Sequence, residues 1–580
     1  MNKQDQETRF PSRRDALAGI VATLAAGWGV TGCSTPGTAT AARRPNLLVI
    51  LADDLGYSDI GAYGGEIPTP NIDALAAHGR LLPHLIVAPV CSPTRASLLS
   101  GADHHLVGIG AIQAMAALDP SVFREAGHEG YLNERSLCVA ELLRDAGYHT
   151  YISGKWHLAM KPEQGPASRG FEHSFSMMGG SGPQWAPVQG HELVPDRQAV
   201  FLDEGKRVPA PAGFYSSKDY TDRMIGFIEG GRRDGKPFFG YLAYTAPHWP
   251  LAAPAEDIAR FKGRYDAGYE PIREARIARQ RQLGLFPAEA KAAIMQPESR
   301  VFPAWEKYSP EQRRYEAKRM EVYAAMVHNM DRNIGRVIQY LRDIGEYDNT
   351  MILFLSDNGA CAMPINNFPQ TNVDNSLANL GLPRSFTDYG ARWAEVSSAP
   401  LRYFKWQTTE GGVRVPGIVR MPGQNSALPP VLETLHVTDV LPTLLAIAGA
   451  PQPGDQYKGR PVHKPTGVSW LPALRSATPV ALAPDRILCE EHVGVRSARQ
   501  GRWKLLTFLT QPLRQDHWEL FDLETDPGET RNLAAEHPEI AQKLRRAWDD
   551  YAQANGVSPK TAQLVQKDPK ARDYAPFVQD

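Results

Sequence analysis

The sequence has no excess of one charge sign and few cysteines for its length. Its 580 residues carry 63 basic and 64 acidic side chains, a formal net charge of −1. Proteins that bind nucleic acid through its phosphates present a basic surface, so this balance excludes that class. Five cysteines are too few for the disulfide framework of a small secreted domain. The length and the apolar content of 42% predict a packed core, in one large domain with a smaller one or in several average ones.

The sequence also lacks a hydrophobic run long enough to span a membrane. The uncharged run 16–30 is shorter than a transmembrane helix. It follows the segment 12–17 (SRRDAL), which resembles a twin-arginine export signal, and it leads into a VTGC tetrapeptide that resembles a bacterial lipobox ending at Cys33. We therefore expect residues 1–33 to be an export signal, 34–43 to be a tether, and the protein to be periplasmic with a lipid anchor on Cys33. The alternative is an ordinary signal peptide with an incidental cysteine.

Apolar segments separated by helical stretches predict a parallel sheet. The nearly unbroken run 47–52 is typical of a strand covered on both faces, and 150–153, 237–244 and 350–356 are further candidate strands. A stripe of apolar residues at three-four spacing from Met320 to Leu341 predicts a helix with one buried face. Strands joined by helical crossovers favour an α/β fold, a mixed, mostly parallel sheet sandwiched by helices.

Polar residues follow each of the predicted strands. The carboxyl ends of parallel strands meet at one edge of a sheet, where α/β proteins bind their ligands. The residues that this places together are Asp53, Asp54, Lys155, His157, His248, Asp357 and Asn358. We therefore predict one functional site at that edge.

Two further regions differ in pattern from the predicted sheet. The segment 361–398, rich in Asn, Pro and Ser, predicts a long loop beside the site. The C-terminal part has short alternating runs and a closing helix, which predict a small antiparallel sheet with one helix. We therefore expect a catalytic domain over residues 44–477 and a smaller α+β domain over 478–580.

The tract Cys91-Ser92-Pro93-Thr94-Arg95 carries the main chemical signal. Ser92 followed by Pro93 predicts a helix that is capped by the serine and has the proline at its first position. Cys91 would then lie at the positive end of this helix, and Arg95, one turn later, could reach back over it. Spacing alone leaves two interpretations open, a reactive cysteine and a buried thiol before an ordinary helix.

The same tract, extended to residues 91–101 (CSPTRASLLSG), resembles the signature of the sulfatase family. In that family Cys-x-Pro-x-Arg directs a formylglycine-generating enzyme to oxidise the cysteine to formylglycine. Further segments resemble family motifs in the family's order: 46–59, 154–158 (GKWHL), 246–250 (APHWP), 356–359 (SDNG) and 411–416 (GGVRVP). The resemblance covers nearly all of the chain after the signal and is strongest toward bacterial arylsulfatases. It implies an alkaline-phosphatase-like fold and an arylsulfatase-type hydrolase acting on a small-molecule sulfate ester.

The resemblance also implies a role for each residue at the predicted edge. Residue 91, as a formylglycine hydrate, would be the nucleophile, with Arg95 and Lys155 stabilising the charge that develops. His157 would take the proton that drives sulfate release, and His248 and Lys405 would stabilise the leaving oxygen. One calcium ion would be held by an oxygen of residue 91 together with Asp53, Asp54, Asp357 and Asn358. These side chains offer oxygen donors, which suit a hard cation.

Two other functions are compatible with the motifs. A formylglycine-dependent phosphonate or phosphodiester hydrolase would share the Cys91 tract, and a lipid-anchored binding protein would keep the pocket without turnover. His104 and His105 follow the signature helix, and we expect packing or surface roles for them. Cys138, Cys361 and Cys489 are expected to be buried thiols with at most one disulfide among them.

Overall fold

The computed structural model describes residues 43–113, 119–186, 199–363, 372–508 and 517–567. The predicted export signal and nearly all of the tether lie outside these residues, whereas the chain from Arg44 onward forms one compact unit. Within the described ranges, no helix is both long and apolar enough to cross a membrane. The four cysteines in these ranges, Cys91, Cys138, Cys361 and Cys489, are all free.

The strands and helices alternate along most of the chain. In chain order the described strands are β1 (Asn46–Ala52), β2 (Arg80–Leu81), β3 (Leu85–Ile86), β4 (His149–Lys155), β5 (His173–Met177), β6 (Phe201–Asp203), β7 (Lys206–Val208), β8 (Phe238–Ala243), β9 (Thr350–Ser356), β10 (Arg414–Val415), β11 (Gly417–Arg420), β12 (Leu435–His436), β13 (Gln456–Tyr457), β14 (Arg460–Pro461), β15 (Leu488–His492), β16 (Val495–Gln500), β17 (Trp503–Leu506) and β18 (Glu519–Asp522). The described helices are α1 (Pro70–Ala77), α2 (Cys91–Ser100), α3 (Val139–Asp145), α4 (Ser216–Gly231), α5 (Ala255–Ala259), α6 (Tyr269–Gln282), α7 (Pro310–Asp343), α8 (Gly390–Ser398), α9 (Glu410–Val413), α10 (Val440–Ala448), α11 (Leu471–Arg475), α12 (Pro538–Asn555) and α13 (Pro559–Lys567).

A nine-stranded mixed sheet forms the centre of the molecule, in the order β2-β11-β9-β1-β8-β4-β5-β6-β7. The five central strands, β9 to β5 in this order, run parallel, and the outer strands pair antiparallel. Every residue of β1 is buried, because alternate side chains enter two different hydrophobic clusters on the two faces of the sheet. Helices α4 and α7 pack in one cluster, and α2, α3 and α10 in the other. The predicted sandwich is confirmed.

The longest helix shows why the apolar stripe predicted its position. Ser309 caps α7 by accepting a hydrogen bond from the backbone amide of Gln312, and Pro310 occupies the first helical position. The stripe from Met320 to Leu341 is buried along its length. One expectation was wrong nearby: α8 occupies the end of the segment 361–398, where we predicted only a loop.

The C-terminal region contains the predicted small antiparallel sheet, in the order β15-β16-β17-β18. Helix α12 packs on β16 and β17 and buries Leu544 and Trp548 against them. The fold class predicted from the sequence is therefore confirmed in both of its sheets. The proposed division between residues 477 and 478 stays a prediction.

A buried ion cluster joins this small sheet to the rest of the chain. Glu410, at the start of α9, is fully buried and receives Lys504 Nζ at 2.8 Å and Arg499 Nη1 at 3.3 Å, both from the small sheet. Arg414 Nη1 lies 3.7 Å from the same carboxylate. Burial opposes ionisation of Glu410, but Lys504 and Arg499 outweigh it and hold the pKa of this carboxyl well below its usual value.

We predict that Glu410→Gln destabilises the fold by about 3–5 kcal/mol at neutral pH, since the three buried cations Lys504, Arg499 and Arg414 are then left with one buried carboxylate, Glu529, which lies 3.1 Å from Lys504. Guanidinium unfolding midpoints measure this. Because the pKa of Glu410 is lowered, its contribution is present above the ordinary glutamate pKa and is lost as the pH falls, so the difference from the parent should shrink in acid. The matched control is Glu536→Gln at the exposed pair Arg531–Glu536, which should cost at most about 1 kcal/mol. Equal losses in the two variants would contradict the prediction.

Candidate active site

The register of the central strands brings two aspartates side by side. Ala52 of β1 pairs with Ser356 of β9, so Asp53 and Asp357 leave the sheet at the same level. The end of β4 adds Lys155, whose Nζ contacts the two carboxylate oxygens of Asp53 at 2.8 and 2.7 Å. Arg95 of α2 donates from Nε and Nη2 to Asp357 Oδ2 at 2.9 and 2.7 Å. All four side chains are essentially inaccessible to solvent.

Asp54 joins a second group of side chains to this edge. Lys405 Nζ and Asn358 Nδ2 donate to Asp54 Oδ1 at 2.6 and 2.7 Å, and His248 Nε2 lies 3.4 Å from Asp54 Oδ2. The backbone of Asp54 has a φ of 66°, in the left-handed region that costs a residue with a side chain some strain. Such strain is found where surrounding contacts fix a functional side chain.

Cys91 lies at the start of α2, but the helix begins differently from the prediction. Val90 is the extended N-cap residue, its carbonyl accepts from the Thr94 amide at 3.3 Å, and Cys91 is the first helical residue. Ser92 was therefore wrongly predicted as the cap, and its buried hydroxyl has no hydrogen-bond partner. Cys91 Sγ is 3.7 Å from Lys405 Nζ.

The Cys91 thiol is not activated as encoded. Burial is the largest influence and raises the pKa of Cys91, although Lys155 and Lys405 pull it down. A reactive thiolate requires a lowered pKa, so the two cations do not make this thiol a nucleophile at neutral pH. We expected Arg95 to reach back over the helix start. Its guanidinium instead donates hydrogen bonds to Asp357 and, at 3.0 Å, to the carbonyl of Lys155.

The buried carboxylates make a site that a cation would stabilise. Burial, with Asp357 and Asp54 adding to it, raises the pKa of Asp53 to about 8 against the opposing effect of Lys155 and Arg95. Burial also opposes ionisation of Asp54, but Lys405 and His248 outweigh it and lower the pKa of that group. Of these two carboxylates, Asp53 is the one whose charge is less well compensated.

Two buried oxygen atoms without hydrogen-bond partners indicate which kind of ligand this site would bind. Asp54 Oδ2 and Asn358 Oδ1 are buried with no hydrogen-bond partner, while the amide nitrogen of Asn358 is already used by Asp54 and by the Gly359 carbonyl at 2.9 Å. Carboxylate oxygens of Asp53 and Asp357 lie within 4.8 Å of each other and of Cys91 Sγ. These donors fit a hard cation such as Ca²⁺, which takes oxygen ligands.

His157 has a strained backbone and an open ring nitrogen. Its φ is 57°, its amide donates to the Met178 carbonyl at 3.1 Å, and its buried Nδ1 has no hydrogen-bond partner. Burial, then the charges of Lys155 and Arg95, hold the pKa of this imidazole well below its usual value. The ring lies over Gly180, where an added Cβ would come within 2.4 Å of Nε2. Sequence reasoning missed this glycine, although a Gly-Gly pair after a strand was a visible signal.

His248 lies opposite, beside an aromatic side chain. Its Nδ1 contacts the Trp249 carbonyl at 2.5 Å, and the two rings are 4.9 Å apart. Burial, with Lys155 and Lys405, lowers the pKa of His248 to about 3 against the opposing effect of Asp54. The ten predicted site residues thus lie around one pocket at the sheet edge. Their individual roles stay predictions.

His104 and His105 lie outside this site. His105 bridges Asp103 at 2.9 Å and Glu491 at 3.0 Å, and these two carboxylates raise the pKa of His105 to about 10 in spite of burial. His104 binds the Ile109 carbonyl at 2.9 Å. The side chains of residues 103–105 are close enough to share a metal, but both ring nitrogens of His105 are already bound to carboxylates. The expected packing role fits both histidines.

The chain is similar over most of its length to known proteins. The Sulfatase family model matches residues 45–450, and the model described as N-sulphoglucosamine sulphohydrolase, C-terminal, matches residues 402–553. The chain is similar to an uncharacterized sulfatase of Schizosaccharomyces pombe, with 39% identity over 89% of this chain and 94% of that protein. It is also similar to an arylsulfatase of Klebsiella aerogenes, with 39% identity over 74% of this chain and 91% of that protein. The crystal structure of Ps i-CgsB shares the fold with a TM-score of 0.64 and 24% identity, over 92% of this chain and 97% of that one.

We predict that Gly180→Ala lowers kcat/KM by about 10²-fold or more, because the new methyl group displaces the His157 ring by roughly 1 Å. Gly179→Ala is the matched control, since the nearest atom to its added Cβ is the Ser181 carbonyl oxygen at an uncrowded 3.8 Å. The control should stay within about threefold of the parent on the same substrate, as expected for a change that leaves the reacting groups in place. Comparable losses in both variants would show that the loop, and not the His157 ring, is what the substitution disturbs.

Proposed function

The chain belongs to the sulfatase family, whose members hydrolyse sulfate esters, and from this premise we propose that it cleaves aryl sulfates to a phenol and inorganic sulfate. The single observation that supports the proposal most is the position of Cys91 Sγ. It lies at the first residue of a buried helix, 3.7 Å from Lys405 Nζ and within 4.8 Å of carboxylate oxygens of Asp53 and Asp357. A nucleophile here has cations around it for the sulfate oxygens.

The nucleophile in this proposal is residue 91 after conversion to formylglycine by a formylglycine-generating enzyme. The raised pKa of the Cys91 thiol argues against the cysteine itself. A formylglycine hydrate carries two hydroxyl groups on one carbon, so one can attack sulfur and the other can later expel the sulfate. A residue with a single hydroxyl would stay sulfated, because it has no second hydroxyl that could expel the sulfate by breaking the C–O bond to it.

The surrounding residues assist both bond changes. In the first, one hydroxyl of residue 91, which has lost its proton to solvent, bonds to sulfur through its oxygen, and the S–O bond to the leaving group breaks as His248 and Lys405 stabilise or protonate the departing oxygen. In the second, His157 takes the proton of the remaining hydroxyl, the C–O bond to the sulfate breaks, and the aldehyde and free sulfate form. Water then restores the hydrate. Arg95 and Lys155 stabilise the negative charge in both steps.

A calcium ion held by Asp53, Asp54, Asp357, Asn358 and an oxygen of residue 91 completes the proposal. It would supply a Lewis acid for the sulfate oxygens and for charge on the attacking hydroxyl. The charges of the site support a divalent ion. Three cationic side chains already balance the three carboxylates, so the two added positive charges match a singly charged ester and one ionised hydroxyl.

Two aromatic side chains form a wall beside His248, and this wall is the observation that favours an aromatic leaving group. The rings of Trp249 and Phe386 are 6.0 Å apart, and both are less than a tenth exposed. A planar aromatic group next to His248 would stack against this wall. Other relatives include an N-acetylgalactosamine-6-sulfatase of Sus scrofa, so a sulfated sugar is the alternative within the family.

We propose that the protein is exported to the periplasm by the twin-arginine route and carries a lipid anchor on Cys33. The segments 12–17 and 30–33 support this proposal.

The reaction is tested by comparing turnover of one aryl sulfate with that of the matching phosphate monoester and phosphodiester. We predict faster turnover of the sulfate. The charge of the site suits a monoanionic ester, which disfavours the dianionic phosphate monoester, and the similarity of the chain to sulfatases favours the sulfate over the equally monoanionic phosphodiester. Faster phosphodiester turnover would favour the alternative, a formylglycine-dependent phosphonate or phosphodiester hydrolase.

The nucleophile is tested in the same preparation. The peptide containing Cys91, from cells with a formylglycine-generating enzyme, should show formylglycine by mass spectrometry. Cys91→Ser should abolish multiple turnover and accumulate a sulfated enzyme, since it supplies one hydroxyl only. Steady turnover by Cys91→Ser would overturn the mechanism, and an unmodified thiol with no activity would favour a binding protein.

Calcium is tested without an activity assay. After chelation of metals, added Ca²⁺ should raise the melting temperature of the protein, because an ion that binds the folded state stabilises it. Asp54→Asn should lose this response. The control is Asp59→Asn, a buried carboxylate nearby that binds Arg276 at 2.6 Å and Tyr323 at 2.6 Å and is outside the proposed ligand set. A calcium response retained in Asp54→Asn, or lost in both variants, would contradict the assignment.

A further inference from the structure

His248 lies on a segment that is neither helix nor strand. Residues 244–250 connect β8 to the stretch before α5. Three backbone hydrogen bonds fix the first half of this segment, since the Tyr244 amide donates to the Leu51 carbonyl at 2.9 Å, the Asp53 amide to the Ala246 carbonyl at 3.1 Å and the His248 amide to the Thr245 carbonyl at 3.0 Å. The position of the imidazole therefore depends on what binds the remaining polar groups of this segment.

The side chain of Gln184 binds those groups. Its Nε2 donates to the carbonyls of His248 and Thr245 at 3.1 and 3.2 Å. Its Oε1 accepts from the Thr245 hydroxyl at 3.0 Å and from the Ser216 hydroxyl. Gln184 comes from the stretch between β5 and β6, and Ser216 is the first residue of α4, so one amide connects three separate segments.

These contacts use the full hydrogen-bonding capacity of the amide, two donors and two acceptor positions. The orientation of the amide follows from the partners, because the two carbonyls can only accept and the two hydroxyls can donate. Gln184 is 2% exposed, so water does not replace these bonds when the side chain is shortened or made apolar. A glutamate would keep the acceptor side but turn an oxygen toward two carbonyl oxygens.

We propose that Gln184 is a positioning residue for His248. It holds the backbone on either side of the imidazole and does not itself contact the substrate. The inference rests on the proposed function, in which His248 and Lys405 stabilise or protonate the leaving oxygen. As the S–O bond breaks, its electron pair goes to that oxygen. A weakly basic phenolate departs without help, whereas a strongly basic one needs both His248 and Lys405 placed to stabilise it.

A misplaced His248 changes the relative rates of esters with different leaving groups, whereas a general loss of stability does not. A displaced His248 slows esters of poor leaving groups more than esters of good ones, so the dependence of rate on leaving-group pKa becomes steeper. A variant that only lowers the amount of folded enzyme reduces all rates by the same factor.

The experiment compares the parent with Gln184→Met across aryl sulfates from 4-nitrophenyl to unsubstituted phenyl. We expect kcat/KM to fall by less than about tenfold for the nitrophenyl ester and by about 10²-fold for the phenyl ester, with most of the loss in kcat. The control is Asn46→Leu, because Asn46 is equally buried and its amide donates to the Thr350 hydroxyl and accepts from the Phe238 amide at the start of β1, the end of the sheet away from the proposed catalytic groups. Its losses should be equal across the series.

Melting curves identify variants that do not fold. In that case Gln184→Asn replaces Gln184→Met, since its amide is one methylene shorter and cannot reach both carbonyls, and it should also steepen the series. Parallel losses for the Gln184 and Asn46 variants would overturn the positioning role while leaving the sulfatase proposal intact. A parent enzyme that turns over none of these esters would overturn the proposed function itself, together with the inference.

Discussion

The rest of the site depends on balancing the charge of three carboxylates that are buried together. Asp53, Asp54 and Asp357 are at most 1% exposed, and each pairs with one cation, from Lys155, Lys405 and Arg95 respectively. A buried charge without its partner costs several kcal/mol, so removing the cation of any one pair destabilises the fold. Five chain segments have to meet with ångström accuracy for the pairs to form: the ends of β1, β9 and β4, helix α2, and the loop of Lys405.

Close backbone contacts hold the Lys405 loop in that position. An added Cβ on Gly359 would lie 1.8 Å from the Gly411 carbonyl oxygen, so only glycine allows the end of β9 to approach this segment. The Lys405 amide donates to the Ala360 carbonyl at 2.9 Å, and the next amide along the chain donates to the Pro89 carbonyl at 2.9 Å. The loop is thus bound both to the segment after β9, which carries Asp357 and Asn358, and to the turn before Cys91. The motifs SDNG and GGVRVP are therefore two sides of one contact.

The sequence predicted those features that depend on local pattern. The bounds of β9 match the apolar run 350–356, and the residues after each parallel strand could be assigned to one edge because strand direction fixes where they emerge. It failed where tertiary contacts decide. Ser92 fits a helix cap by type and would make Pro93 the first helical residue, but the helix starts two residues earlier, at Cys91, because the Val90 carbonyl takes the first helical hydrogen bond. Gln184 gave no signal, since its partners around His248 are about 60 residues away in sequence.

The C-terminal sheet is connected to the site through the last three residues of β15. Glu490 binds His436 at 2.6 Å, Glu491 binds His105 at 3.0 Å beyond the end of α2, and the ring of His492 lies 5.1 Å from that of Trp406, next to Lys405. Three consecutive side chains thus contact three different segments of the catalytic part, and two of these segments carry or adjoin the proposed nucleophile and Lys405. The family model for the C-terminal part begins at residue 402, before the Lys405 loop, which agrees with this connection. The small sheet therefore forms part of the support of the site, and changes in it should reach the chemistry through α2 and Trp406.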